Sequence, residues 1–212
     1  MLTVNEVFFS IQGEGTRAGR PCAFVRLTGC PLRCVWCDTA YAFHEGRKRS
    51  EDDVVAELER WPTRLLCLTG GEPLAQPAAF PFVTRLLDGG WELTIETSGH
   101  VSLEPLDRRA VVILDVKTPG SGESARMDWS NLERLRAQDE AKFVIDGRGD
   151  YEWSRDLVRE RELTRRCTVL FSPVHGQLAP GTLAQWVLED GLAVRLQVQL
   201  HKYLWPGATR GV

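Results

Sequence analysis

The segment GCPLRCVWCDTAYAF, residues 29–43, places three cysteines within eight positions: Cys30, Cys34 and Cys37. A disulfide uses two thiols and a closed tetrahedral zinc site uses four donors, so a set of three needs a further partner. Two completions suit the spacing. Zinc could close a Cys₃His site by taking His44 from just downstream. A cubane iron–sulfur cluster, normally held by four thiolates, could instead take three and keep one iron open to a ligand. Spacing by itself leaves both standing. The remaining cysteines, Cys22, Cys67 and Cys167, lie in the apolar runs PCAFVRL, LLCLTG and CTVLFSP and read as small buried hydrophobes.

A second group of chemically able residues sits at the ends of strand-like runs. The runs CAFVRLTG, RLLCLTGG, WELTIETSG, AVVILDVKTP, AKFVIDG, CTVLFSPV and LAVRLQVQLHKYL are rich in Val, Ile, Leu and Phe. Continuous apolar runs of this kind suit parallel strands buried on both faces. They end in TGC, TGGEP, ETSGH, DVKTPGSG, SPVHG and HKYLWP. Turn residues explain the glycines and prolines. They do not explain why Glu72, Glu96, Asp115, Lys117 and His201 share those positions. In parallel α/β architectures, ligands bind at the carboxyl ends of strands, so these segments are expected to meet at one rim.

Helical patterns alternate with the runs. Residues 50–61 carry a capping box in Ser50 and Asp53, with Val54, Val55, Leu58 and Trp61 on one stripe. Residues 75–88 read as helical up to Gly89 and Gly90, with Pro81 delaying the start. The stretch DYEWSRDLVRERE presents Trp153, Leu157 and Val158 on one face, and Thr182 reads as the cap of a helix that stops at Gly191. About seven strands in βα alternation fall short of the eight of a closed barrel, which predicts an incomplete barrel or open curved sheet. A short strand or hairpin at NEVFFSIQ is expected ahead of it. The stretch 120–166 carries no motif.

The bulk properties narrow the field. A chain of 212 residues suits one domain or little more. A formal net charge of -3 argues against a nucleic-acid groove as its main business. No apolar run is long enough to span a bilayer, and the opening MLTVNEVFFSIQGEG has neither a basic n-region nor an apolar h-region. The expectation is a cytoplasmic protein with reduced thiols and neither membrane nor nucleic acid as partner. Lysines number only four, Lys48, Lys117, Lys142 and Lys202, so each stands out slightly.

Taken together, Cys30-x3-Cys34-x2-Cys37 with an aromatic before the last cysteine, and TGGEP (residues 69–73) after the next strand, resemble the radical S-adenosylmethionine (SAM) superfamily. The stretches FSIQGEG, FVRLTGCPLRCVWCDTAYAF, TIETSG and QVQLHKYLWP narrow the likeness to the family of 7-carboxy-7-deazaguanine synthases, over essentially the whole chain. The resemblance implies one radical SAM domain over residues 1–212, an incomplete (β/α) barrel with a mostly parallel curved sheet. It implies a [4Fe–4S] cluster on Cys30, Cys34 and Cys37, with SAM chelated by the open iron and cleaved to a 5′-deoxyadenosyl radical. The implied reaction turns 6-carboxy-5,6,7,8-tetrahydropterin into 7-carboxy-7-deazaguanine with loss of ammonia, in the pathway to queuosine. A flavodoxin or ferredoxin as electron donor and a homodimer are implied as well.

Residue by residue, the resemblance assigns Mg²⁺ to Thr39, together with the substrate carboxylate. It places SAM against Trp36, Cys37, Asp38, Gly71, Asp115, Val116, Lys117, Ser172, Pro173, Val174 and His175. It places the pterin against Ile11, Gln12, Gly13, Glu14, Arg26, Thr69 and His201. Glu14 can accept from an exocyclic amine and a ring N–H together, and Arg26 can clamp a carboxylate. Glu96 is assigned a proton transfer after hydrogen abstraction. The alternatives are another small radical SAM enzyme, such as a glycyl-radical activase, and a zinc-stabilised binding module.

Overall fold

A computed structural model describes residues 1–212. The chain runs β1 (Leu2–Ile11), β2 (Pro21–Leu27), β3 (Arg47–Arg49), α1 (Glu51–Leu58), β4 (Leu65–Gly70), α2 (Ala79–Asp88), β5 (Glu92–Thr97), β6 (Val111–Val116) and α3 (Asn131–Arg134). It continues with β7 (Glu140–Ile145), α4 (Arg148–Glu160), α5 (Leu163–Arg166), β8 (Thr168–Pro173), α6 (Pro180–Glu189), β9 (Arg195–Leu196) and α7 (His201–Leu204). All nine strands form one sheet in the order β3-β1-β2-β4-β5-β6-β7-β8-β9. Seven of them, from β2 and β4 through β9, run parallel. The other two are antiparallel additions: β1 forms a hairpin with β2, and β3 pairs on its far side. The sheet does not close, and β3 and β9 are its edges. The expected incomplete barrel with a mostly parallel curved sheet is therefore what the chain forms.

Alternation along each strand separates two faces. On β2, Ala23, Val25 and Leu27 join the main apolar core, shared with Val54 and Leu58 of α1 and Phe82, Val83 and Leu86 of α2. The intervening Cys22 and Phe24 join Phe8, Leu65 and Cys67 in a small inner cluster, where the rings of Phe8 and Phe24 stack 4.7 Å apart. Cys22, Cys67 and Cys167 are buried free thiols, as their apolar neighbours predicted. Above this inner cluster the same face turns polar. Arg26 stands opposite Thr69, and Asp115 opposite Lys142, in register across adjacent strands.

The helices follow local chemistry. Ser50 caps α1 by accepting from the Asp53 N–H at 3.0 Å, and acidic residues fill the first turn, where the helix dipole favours them. Pro81 sits in the first turn of α2, where its missing N–H is harmless, and this delays the start to Ala79. Three expectations change. Helix α6 begins at Pro180, two residues before Thr182, because proline is suited to the first helical position. The buried face of α4 is Tyr151, Ser154 and Val158, with Trp153 and Leu157 flanking it. The last strand run shrinks to Arg195–Leu196, because as an edge strand it has a neighbour on one side only, and Gln197 and Gln199 turn to hydrogen bonds elsewhere.

Candidate active site

A cavity of about 750 Å³ opens on the polar inner face of the sheet. Its rim and floor come from opposite ends of the strands. The rim is built by the segments following β2, β4, β5 and β6. The floor is the β1–β2 connection: Ile11 lies opposite Pro21, at the amino end of the parallel strands. The QGEG motif therefore closes the cavity from below and does not join the rim.

The floor loop is bound at nearly every step. Gln12 N–H donates to the Arg20 carbonyl at 2.9 Å and Gly19 N–H to the Gln12 carbonyl at 2.8 Å, closing the loop on itself. Gly15 N–H donates to Gln197 Oε1 at 2.8 Å, and Thr16 N–H to the buried Glu140 carboxylate at 3.1 Å. Arg20 pairs with Glu92 at 2.8 Å. Gly13 has no room for a side chain, since a Cβ would run into the His201 ring. The Leu200 N–H donates to the Gly13 carbonyl at 3.0 Å, so the segment of His201 is pinned to the floor. Burial lowers the His201 pKa, which favours the neutral imidazole.

Cation–acid pairs line the walls. Lys142 Nζ lies 2.6 Å from Glu14 Oε2, and Gln199 Nε2 donates to Glu14 Oε1 at 2.8 Å. Lys117 pairs with Asp115 at 3.0 Å, and Lys202 with Asp38 at 2.8 Å. Arg26 gives its Nε to Glu6 at 2.7 Å, and Tyr41 donates to the same oxygen at 2.9 Å. The terminal nitrogens of Arg26 make no hydrogen bond and remain available to a ligand. Glu96 receives only the Thr69 hydroxyl, at 2.9 Å. Burial, then the neighbouring Glu14 charge, raises its pKa. Glu14 goes the other way: burial alone would raise it, but the Lys142 ammonium and the Gln199 hydrogen bond together hold it down.

The cysteine loop is tethered at its base and free at its thiols. Gly29 N–H donates to the Ala42 carbonyl at 2.8 Å, and Val35 N–H to Ser121 at 3.1 Å. Arg33 N–H donates to Glu123 at 2.6 Å. Gly71 meets the loop from below, where a Cβ would strike the Gly29 carbonyl oxygen and lie 2.8 Å from the Cys30 Cβ. The Cys30, Cys34 and Cys37 sulfurs line the cavity with no side chain bonded to them. Burial raises all three thiol pKa values, while the Leu32 N–H at Cys30, the Thr39 N–H at Cys37 and the Lys117 ammonium favour thiolates. His44 is exposed and lies outside the cavity, and no three thiol, imidazole or carboxylate groups converge to grip a single ion. His44 is therefore not placed beside the three thiols as a fourth donor. Three unengaged sulfurs facing backbone N–H groups and a cation on a roomy wall suit a larger, anionic cluster.

Most residues singled out from sequence reach this cavity: Ile11, Gln12, Gly13, Glu14, Arg26, Trp36, Asp38, Thr39, Thr69, Gly71, Glu96, Asp115, Lys117, Val174, His175 and His201 line it with the cysteines. Val116, Ser172 and Pro173 do not. Strand alternation turns Val116 into the outer core, and Ser172 and Pro173 are buried within β8. Glu72 also belongs to the framework: it is wholly buried and accepts from Thr97, Ser98 and Leu74. Sequence reasoning missed Lys142, Gln199, Lys202 and Tyr41. The scarcity of lysine was the usable signal, since three of the four lysines line the cavity.

Comparison with known proteins agrees with this arrangement. The sequence pattern of the Radical SAM superfamily matches residues 24–117. The 7-carboxy-7-deazaguanine synthase of Koribacter versatilis is 44% identical over 226 residues, covering 100% of each chain. The crystal structure of QueE from Escherichia coli superposes with a TM-score of 0.79 at 24% identity, covering 94% of each chain. Streptococcus suis SuiB bound to S-adenosylmethionine shares the fold at a TM-score of 0.58 and 12% identity, over 81% of this chain and 44% of SuiB. Likeness to the synthases runs end to end and takes in the floor loop as well as the cysteine segment, and the chain belongs to the 7-carboxy-7-deazaguanine synthase family of the radical SAM superfamily.

Proposed function

We infer that the chain, as one radical SAM domain over residues 1–212, converts 6-carboxy-5,6,7,8-tetrahydropterin to 7-carboxy-7-deazaguanine with loss of ammonia. One observation carries the reading: three unengaged thiols on the rim face a rigid, polar floor across a single cavity. Cys30, Cys34 and Cys37 would hold a [4Fe–4S] cluster whose open iron takes SAM. Bound there, the pair supplies one-electron cleavage and hydrogen-atom abstraction, the step no side chain can perform. Trp36, Cys37, Asp38, Gly71, Asp115, Lys117, Val174 and His175, which line the cavity around the thiols, would hold SAM.

The chain's own residues do the rest. Glu14, held charged, accepts from the amine and N–H edge of the pterin, and the Gly13 backbone lies beside it. The buried Gln12 accepts from the Glu14 N–H at 3.1 Å and holds the floor beneath the heterocycle. Arg26 takes the substrate carboxylate with its free nitrogens. Thr69 and the neutral His201 border the ring. Glu96 moves the proton after hydrogen abstraction, its raised pKa matching that task. Thr39 gives its hydroxyl proton to Asp38 at 2.9 Å, which leaves oxygen lone pairs for Mg²⁺.

A closed floor supports a small substrate over the protein segment that a glycyl-radical activase would need to admit. Exposed Leu196, Tyr203, Leu204 and Trp205 beside the open edge of β9 support a homodimer. A flavodoxin or ferredoxin would deliver the electron at the cysteine loop. No helix is long and apolar enough to cross a membrane, and six free cysteines suit the reducing cytoplasm. The test is anaerobic reconstitution with iron and sulfide, followed by SAM, a reductant, Mg²⁺ and the carboxypterin. Formation of 7-carboxy-7-deazaguanine is expected. Reconstituted protein that cleaves SAM yet leaves the pterin untouched would overturn the substrate assignment.

A further inference from the structure

The acids lining the cavity are Glu14, Asp38, Glu96 and Asp115. Three have their own lysine: Asp115 has Lys117, Asp38 has Lys202 and Glu14 has Lys142. Glu96 alone has none. Lys142 stands at the centre of this pattern, in the middle of β7 and only 8% exposed. It lies 2.6 Å from Glu14 and 3.7 Å from Asp115. Lys117 and Lys202 are committed elsewhere and cannot take its place. Both Glu14 oxygens are engaged, one by Lys142 and one by Gln199, so the carboxylate is fixed in position as well as in charge.

We propose that Lys142 is a positioning residue that divides labour between two neighbouring carboxyl groups: it fixes Glu14 as a permanent acceptor for substrate N–H groups and leaves Glu96 as the group that takes up and releases a proton. This rests on the reading of Glu14 and Glu96 given above. Two carboxyl groups that feel each other's charge do not ionise independently, and a cation bonded to one of them decides which holds the proton. The surroundings agree. Burial and the Glu14 charge favour the proton on Glu96, while at Glu14 the Lys142 ion pair and the Gln199 hydrogen bond together more than offset burial and remove it there. The other charged or titratable groups facing the trio are Asp38 and His201 on the Glu14 side, Asp115 and Lys117 beside Lys142, and Arg26 with the buried Cys22 and Cys67 thiols beside Glu96. Asp38 raises Glu14, and Lys142 itself, then Arg26, lower Glu96, so all three oppose the division; Lys142 imposes it because it is bonded to Glu14 and not to Glu96.

The test is binding of the carboxypterin to reconstituted, unreduced enzyme, where no turnover intervenes, measured across about pH 5 to 8. Lys142→Met is expected to weaken binding at least about tenfold, with the loss greatest at the acid end, where an unsupported Glu14 takes a proton. Lys142→Arg keeps the charge and restores most of the affinity. In a Glu14→Gln background, Lys142→Met adds less than about a twofold loss, because the charge it supports is gone. The double variant carries neither charge, so it remains a folded reference if Lys142→Met alone is unstable. Equal losses from Lys142→Met in both backgrounds, or a loss independent of pH, would overturn the proposal by showing that Lys142 acts on the substrate directly. Unchanged binding in Glu14→Gln itself would instead overturn the role of Glu14, and the proposal with it.

Discussion

The floor and the cysteine rim of the cavity are built on opposite principles. The floor loop, residues 12–20, is knitted to β7, β5 and the segment before α7 by hydrogen bonds and ion pairs. It holds its polar groups in place before any ligand arrives. The rim loop, residues 28–46, is fastened at its base and leaves its three sulfurs without a side-chain partner. This fold separates recognition from reactivity. A substrate edge is read best by groups that need no reorganisation. An inorganic cluster brings its own bonds, and the loop that takes it gains nothing from engaging its thiols beforehand.

The sharpest way to break the comparison is at the rim. Cys34→Ala should abolish turnover and most cluster iron, read by anaerobic metal and sulfide analysis. The melting temperature of the cluster-free protein should move by no more than about 2 °C, since the lost sulfur bonds no side chain. A large fall in apoprotein stability would mean that the thiols are structural.

Glu96→Gln comes next. Turnover should fall by about 10²-fold while SAM cleavage and cluster content persist. Its stability carries a sign that can be worked out. The folded state holds the Glu96 proton more tightly than the unfolded chain does, so wild-type stability drops as pH rises through the interval between the usual carboxylate value and the raised one. Glutamine has no proton to lose. The variant should therefore gain on the wild type as pH rises above the usual carboxylate range, in thermal melts of the apoprotein. A gap that stays constant with pH would remove the raised pKa.

A substitution in the floor should cost stability and function together. Gly15 has φ of +74°, and a Cβ there would lie 2.7 Å from Glu140 Oε2. Gly15→Ala is expected to cost about 1–3 kcal/mol in denaturant unfolding and to weaken pterin binding in parallel. Loss of stability with binding intact would show that the floor is not the reading surface. The smallest effect lies outside both regions. Ser50→Ala removes the α1 cap and should cost about 1 kcal/mol with kinetics unchanged. It calibrates how far a purely structural loss propagates.

Much of this architecture was legible along the chain. All seven apolar runs became parallel strands, because fully buried strands carry a continuous apolar signal. The capping box at Ser50 and the proline at Pro81 act within a few residues and held as read. The edge strand at Arg195–Leu196 was overestimated, since it pairs with β8 alone and the residues after it turn to the floor loop. The pairing of Lys142 was invisible for a related reason: the lysine lies in the stretch 120–166 that carries no motif, and its partner Glu14 is 128 positions away.

The sequence by itself determined the local elements, the three-thiol loop and the kind of chemistry such a loop can host, since these depend on spacing within a few turns of chain. Tertiary structure alone decided that QGEG forms a floor opposite the rim, that Val116, Ser172 and Pro173 stay out of the cavity, and that Glu96 is left without a lysine bonded to it. Strand register and sheet curvature bring distant residues face to face, and charge pairing across a buried cavity depends on distances that no one-dimensional pattern records.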